Sequence, residues 1–482
     1  MSQISEAAIR DVVTEVLTKL QQGTVGPVAT PAVVKNPGRH GVFDDASSAA
    51  TAAAGGFEQL QKKGWAARSK IIEIVKQMCA DNADRWGQVE FEETKIGRLD
   101  HKIAKLHGIR NVLGTEFLNP HGMSGDAGIT MEEFAPWGVI GSITPVTHSI
   151  PTIAGNIVNM VAAGNAIVFN PHPGGAACAA LAIHEFNQAI KAEVGISNLI
   201  CTVEKPTLDS FNDLCAAPEV GLLCITGGPA VVDAAMKTGK RAICAGPGNP
   251  PVVVDDCPGI NFDKVARNII LGGGFDNNLL CIGEKQIFAV DQSYKKTVDA
   301  MVRNGAFLLN ASQLETIKKE VFTFREDDGG CSHPVVNREF VGADAAKLAR
   351  IAGLDIDPTT EMLIAETAED DLFVIEEQMM PLLPITQATC FGEAIRMARD
   401  SEHGYKHSAM VHTMNVANMT EMGRAMDTTL YVKNGPCVAG LGMGGEGYIS
   451  FSIATTTGEG ITTPRTFTRF RRCALVDQLN IV

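Results

Sequence analysis

The chain has no excess of positive charge, no cysteine pair at C-x-x-C spacing and no unbroken apolar run of membrane length. Each absence closes a class of function. Its 482 residues carry 41 Lys and Arg against 55 Asp and Glu, a net charge of −14. Nucleic acid, whose phosphates are held by clustered cations, is therefore not an expected partner. The one basic cluster, Arg465 to Arg472, is short and lies near the C-terminus. The twelve cysteines are scattered, without C-x2-C or H-x3-H ligand spacing. They read as reduced thiols in a cytoplasmic setting, with no metal site. The longest apolar stretch, Ile153 to Phe169, is broken by Gly155, Asn156, Asn159, Gly164 and Asn165, which makes a poor membrane span. The N-terminus lacks the basic region and continuous apolar core of a secretory signal.

What is present is a 45% hydrophobic composition, which supports a sizeable core and excludes a disordered chain. The length suggests two or three domains. Ile9, Val12, Val13, Val16 and Leu20 form one stripe of a helix within residues 1–22, with charged residues mostly opposite. Residues 23–38 hold Pro27, Pro31 and Pro37 among small residues, the composition of an extended linker. The tethered helix reads either as a surface or tail element or as an address peptide that docks its apolar stripe in a partner's groove.

From Val139 onward, β-prone runs alternate with helix-length segments. The runs are Val139 to Thr144, Ala166 to Phe169, Asn198 to Val203, Gly221 to Thr226 and Pro251 to Val254. The alternation predicts an α/β fold with a parallel sheet covered on both faces. It restarts near Lys285 to Val290, which predicts a second α/β domain.

Two segments carry candidate chemistry. Leu222 to Thr226 is an apolar strand running into Gly227, Gly228 and a helix, a junction that favours a phosphate, or else a plain turn. The Phe275 to Lys285 stretch follows Gly272-Gly-Gly274 and places Cys281 in a flexible, polar-flanked loop before a strand. A catalytic thiol needs such access and nearby donors. Cys224 in a probable strand and Cys79 in a helix are weaker candidates, and Cys437 in its glycine-rich run is the runner-up.

Nine motifs, taken together, go further. They are Ala135-Pro-Trp-Gly-Val-Ile-Gly141, Ala162-Ala-Gly-Asn165, Pro171-His-Pro173, Ile225-Thr-Gly-Gly-Pro229, Ala245-Gly-Pro-Gly-Asn-Pro-Pro251, the Cys281 loop, Val432-Lys-Asn-Gly-Pro436, Gly444-Gly-Glu-Gly447 and Thr457-Gly-Glu-Gly460, the last followed by Arg465 to Cys473. In this order the chain resembles the coenzyme-A-acylating propionaldehyde and acetaldehyde dehydrogenases of bacterial microcompartments, a branch of the aldehyde dehydrogenase superfamily.

That resemblance implies an aldehyde dehydrogenase-like fold in three parts. They are a Rossmann-like cofactor domain over 39–246, a catalytic domain over 247–448, and an oligomerisation arm built from a hairpin near 113–130 with the C-terminal segment 449–482. It implies Cys281 as nucleophile, and Thr147 or His148 beside the Cys281 N–H as oxyanion donors. His407 matches a histidine of related acylating enzymes and is either catalytic or structural. NAD would lie against Thr144, Pro145, Asn170, Pro171, His172, Thr226, Gly227, Gly228, Gly246 and Glu377, with coenzyme A as co-substrate. Residues 1–22 resemble an encapsulation peptide, which implies a shell or cargo partner, a microcompartment lumen and a homo-oligomer, dimer or tetramer. The basic run near Arg465 would then serve a subunit contact.

One departure is informative. Hydrolytic relatives carry a glutamate in E-L-G-G-K that activates water, and the aligned residue here is Ala245, which can take no proton. The acyl group would wait for a thiol. The other readings are a hydrolytic enzyme with a different base, a phosphate-ester reductase of the same fold, and a silent cargo or scaffold protein.

Overall fold

The computed structural model describes residues 40–326, 332–477 and 479. The helix expected over 1–22 and the linker over 23–38 lie outside the described residues.

Two parallel sheets organise the chain. The first has six strands in the order Val42–Phe43, Ile200–Val203, Ala166–Pro171, Val139–Thr144, Val220–Thr226, Ala242–Ala245. All neighbours run parallel. Such strands are covered on both faces and so read as continuous apolar runs rather than alternating ones. Ala166–Pro171, for example, is buried along its whole length. The order reverses at Val139–Thr144, because the chain first winds outward through 166–171 and 200–203, then returns to the other side with 220–226. A doubly wound sheet opens a crevice at this switch point, beyond the carboxyl ends of its strands.

The expected helices form, with caps legible in the sequence. Thr207 and Ser210 make a capping box on Leu208–Ala216. Ser149–Ala162 is buried on every side, which accounts for its membrane-like composition. Its asparagines are inward hydrogen-bonding posts: Asn165, just beyond the helix, accepts from the Trp137 and Gly138 N–H groups and donates to the Phe467 carbonyl.

The second sheet has seven parallel strands in the order Phe307–Leu309, Leu363–Glu366, Leu382–Ala388, Gln286–Val290, Pro251–Val254, Ser408–His412, Leu430–Lys433. Each neighbouring pair runs parallel.

A separate three-stranded antiparallel sheet joins the hairpin His121–Gly125 and Gly128–Pro136 to the strand Thr468–Val476. The hairpin therefore lies later than 113–130, since Thr115–Phe117 is a 3-10 turn. Three arginines of the basic run make contacts inside this sheet and at its root. Arg465 stacks over Phe117 and Phe134 at 4.7 and 5.3 Å, Arg469 donates to the Pro136 carbonyl, and Arg472 pairs with Glu132. Residues 449–467 do not join the arm. They pack back on the first sheet, where Ser452 Oγ bonds Thr226 Oγ1 at 3.0 Å and Asn156 Oδ1 at 3.0 Å, and Cys244 N–H donates to Thr457.

Candidate active site

The strand register sets one rim of the site. Thr144 lies across from Pro171, and Thr226 across from Ala245, so four strand ends meet at the switch point. A cavity of about 700 Å³ opens there and reaches the second sheet. Its wall includes Thr144, Pro145, Thr147, His148, Asn170, Pro171, His172, Thr226, Gly227, Gly228, Gly246, Cys281 and Glu377. Ala245 also faces it.

The second sheet contributes through its other edge. Glu377 precedes strand 382–388, Cys281 precedes 286–290, Gly248 precedes 251–254 and His407 precedes 408–412. These four strands are adjacent, so residues more than 150 positions apart in sequence converge at the amino ends of one sheet.

The first rim suits a dinucleotide. Thr144 Oγ1 is buried with no partner among the described residues. The helix Pro229–Met236 starts at Gly228 with no side-chain cap, which leaves its N-terminal dipole open to an anion. A Cβ at Gly228 would meet nothing within 4 Å, so the backbone can be approached closely. Asn170 accepts from Ser210 Oγ at 2.6 Å, which fixes its side chain against the capping box of 208–216.

The loop that bears Cys281 faces inward, with Asp276, Asn277 and Asn278 buried, contrary to what its composition suggests. Gly272 to Gly274 end the helix Phe262–Gly274 and serve close packing: a Cβ at Gly272 would run into the Glu284 carboxylate, and one at Gly273 would lie 3.1 to 3.2 Å from Leu383 and Met362. Asp276, Asn277 and Asn278 all have positive φ, at 51°, 54° and 65°. Three such non-glycine residues in a row persist only when side-chain bonds over-determine them. They do here. Asn277 donates to the Gly342 carbonyl and to Asp344, Asn278 donates to the Gly273 and Glu284 carbonyls, and Lys285 Nζ donates to the Asn278 carbonyl at 2.8 Å.

Cys281 is half-buried on the cavity wall. Burial and the Glu377 carboxylate push its thiol up to about 12, against the pull of Lys285 and the N–H groups of Cys281 and Ile282. A thiol is neutral below its pKa, so the resting protein holds it protonated at neutral pH. Iodoacetamide labelling of Cys281, followed by peptide mapping, is expected to speed up about tenfold per pH unit between about pH 7 and 9.5. A plateau near pH 8 would show a thiolate already formed.

His148 is buried, with its ring 5.7 Å from Phe451 and Nδ1 without a partner among the described residues. Burial, then Lys105 and Lys102, hold its pKa well below the usual value, so it is a neutral imidazole that can donate an N–H. His407 does not line the cavity. It is buried, with Nδ1 on Ser408 Oγ at 2.8 Å and its backbone N–H on Glu402. Gly248 separates its ring from the Cys281 carbonyl: a Cβ there would lie 2.9 and 2.7 Å from the two. Burial and Lys285 bring His407 down to about 4, and Nε2 has no partner among the described residues.

Sequence reading missed Arg338, whose side chain joins the wall and lies near enough to His172 to lower that residue's pKa after burial. It missed Phe211, Phe451 and Ile453, which supply apolar wall from distant elements. The runner-up thiol, Cys437, is buried against Glu284, which accepts its backbone N–H at 2.8 Å, and is absent from the cavity wall.

Fold and site together define a two-sheet α/β protein whose nucleotide-type switch point faces a thiol presented by a second sheet. Residues 24–310 match the aldehyde dehydrogenase family. The acetylating acetaldehyde dehydrogenase of Salmonella typhimurium is 39% identical over 481 residues, 99% of this chain and 100% of the relative. A propionaldehyde dehydrogenase from the fucose utilisation bacterial microcompartment of Clostridium phytofermentans superposes with a TM-score of 0.88 at 39% identity, covering 92% of this chain and all of that one. A Rhodopseudomonas palustris propionaldehyde dehydrogenase, solved with bound propionyl-CoA, gives 0.88 at 37% identity, with 95% and 100% covered. The chain belongs to the aldehyde dehydrogenase family, and its first sheet is the Rossmann-like part of that fold.

Proposed function

We propose that the protein is a coenzyme-A-acylating aldehyde dehydrogenase that oxidises a short aldehyde, propanal foremost or acetaldehyde, and works in a bacterial microcompartment. The single observation that carries the reading is a thiol and a glycine-lined crevice facing one cavity, with Ala245 on its wall at the position to which the motif resemblance assigns the water-activating glutamate of hydrolytic relatives. The relatives named above support the substrate class.

Cys281 releases its proton to solvent in the cavity and its sulfur bonds the aldehyde carbon, forming the oxyanion of a thiohemiacetal; that proton is the one net proton the oxidation yields. The Cys281 N–H, with Thr147 Oγ or the neutral His148 as second donor, holds the oxyanion. NAD+, when bound along Thr144, Asn170, Thr226 to Gly228 and Glu377, supplies the acceptor for the hydride. Loss of that hydride leaves a thioester on Cys281. Ala245 offers no base to activate water, so the thioester persists until the coenzyme A thiol takes the acyl group and Cys281 regains its proton. Arg338, on the wall with His172, would offer its guanidinium to the phosphates that both NAD and coenzyme A carry.

NADH formation from propanal should depend on coenzyme A and yield propanoyl-CoA by chromatography. Steady turnover to propanoate without coenzyme A would assign a hydrolytic enzyme using another base, Glu377 being the carboxylate on the wall. Residues 1–22 would direct the enzyme to a shell or cargo partner. Their deletion is expected to leave turnover within about twofold and to abolish co-sedimentation with shells. Loss of soluble enzyme on deletion would contradict the address role.

A further inference from the structure

Beneath the cavity lie four buried charges that the reaction above does not use. Glu90 ends a turn of the helix Ala83–Thr94, Lys102 and Lys105 stand at i and i+3 on Leu99–Gly108, and Asp276 opens the nucleophile loop. All four are essentially inaccessible to solvent. Lys102 Nζ reaches Glu90 at 3.3 Å and the Thr147 carbonyl at 3.4 Å. Lys105 Nζ reaches the same carbonyl at 3.4 Å and pairs with Asp276. Each carboxylate is held in turn. Glu90 accepts the Ser149 and Ile150 N–H groups at 3.2 and 3.0 Å, capping the helix that follows His148, and Asp276 accepts the Arg98 N–H at 2.7 Å. The Asp276 N–H donates to His101, whose ring stacks on Phe275 at 4.3 Å.

Four desolvated charges cost more than a well-packed apolar set of the same volume, so a stability role alone explains them poorly. Their geometry has a directed outcome: two ammonium groups converge on the one backbone carbonyl of the turn that bears Thr147 and His148, and one of them is anchored on the loop that bears Cys281. We propose that Lys102 and Lys105 are positioning residues, a buried clamp on the Thr147 carbonyl that sets the oxyanion-donor turn against the nucleophile loop. The inference rests on the acylating reading. A second consequence follows from the same placement. Burial first, and then the two lysines, hold the neighbouring His148 below its usual pKa, so that its imidazole can donate a hydrogen bond.

The test removes a charge pair without leaving a lone buried ion. In Lys105→Met/Asp276→Asn, the new amide oxygen can still accept the Arg98 N–H. With wild-type turnover first shown to need coenzyme A, the double variant should lose about 30- to 100-fold in kcat, because a shift of about 1 Å in donor placement suffices for that. Its KM for NAD+ and coenzyme A should stay within about twofold, and Cys281 labelling by iodoacetamide within about threefold. Lys102→Met/Glu90→Gln approaches the same carbonyl from the other side and should show the same split. Either folded variant with kcat within about threefold of wild type overturns the clamp. So does failure of both to fold, which would assign the network to stability. Wild-type turnover without coenzyme A would instead defeat the acylating reading and leave the clamp to be scored on the hydrolytic rate.

Discussion

Replacing Cys281 by serine is expected to cut aldehyde-dependent NADH formation by at least about a thousandfold. The expectation follows from chemistry more than from shape. Cys281 already sits where burial and Glu377 disfavour the anion, and a hydroxyl in the same place is a weaker acid by several units, so far less of it is ionised. His407 lies behind the backbone, held at about 4 by burial and Lys285, with Gly248 between its ring and the Cys281 carbonyl, and the Glu377 carboxylate on the cavity wall is too weak a base to ionise an alcohol. The serine variant should keep its melting temperature and its NAD+ titration, since the exchange swaps sulfur for a smaller oxygen. Turnover within about tenfold of wild type would place the nucleophile elsewhere, with Cys437 next to be tried.

The second large effect is steric. Gly248→Ala adds one carbon that would lie 2.7 Å from the Cys281 carbonyl oxygen and 2.9 Å from His407 Cγ. Neither neighbour can yield cheaply. The carbonyl belongs to a loop pinned by Lys285 on Asn278 and by Asp276 on Lys105, and the His407 ring is buried and fixed on Ser408. Something must therefore move in the nucleophile's own backbone, and kcat should fall by about a hundredfold or more. Binding of NAD+ should weaken far less than kcat falls, because all of its proposed contacts but Glu377 lie at the ends of the other sheet. Near-normal turnover would show that the Cys281 loop has slack that its hydrogen bonds deny.

These two positions mark what the sequence could and could not show. Cys281 was legible because its flanks match a family pattern, and the strands at 139–144, 220–226 and 251–254 because doubly covered parallel strands are unbroken apolar runs. The polar string Asp276-Asn-Asn278 after three glycines reads as a mobile loop. The structure uses it as an inward-facing set of hydrogen-bonding posts, and the glycines as the tight end of a helix. Composition cannot separate the two, since the partners, Gly342, Asp344 and Lys105, are far away in sequence. Lys102 and Lys105 were invisible for the same reason: lysines spaced along a helix normally mark a solvated face, and only the packing of that helix under the Thr147 turn buries them. Arg338 and Phe451 reach the cavity through connections that no local pattern announces. His407 shows the reverse case, a motif match whose side chain lies one backbone layer from the cavity.

The central claim is a thioester on Cys281 that water leaves alone and coenzyme A removes. Mixing the protein with propanal and NAD+ in the absence of coenzyme A, followed by intact-mass and peptide analysis, tests it directly. The account predicts one propanoyl group per chain, located on Cys281, formed with one equivalent of NADH and discharged on adding coenzyme A. Continuous NADH production with no acyl group on the protein would contradict it.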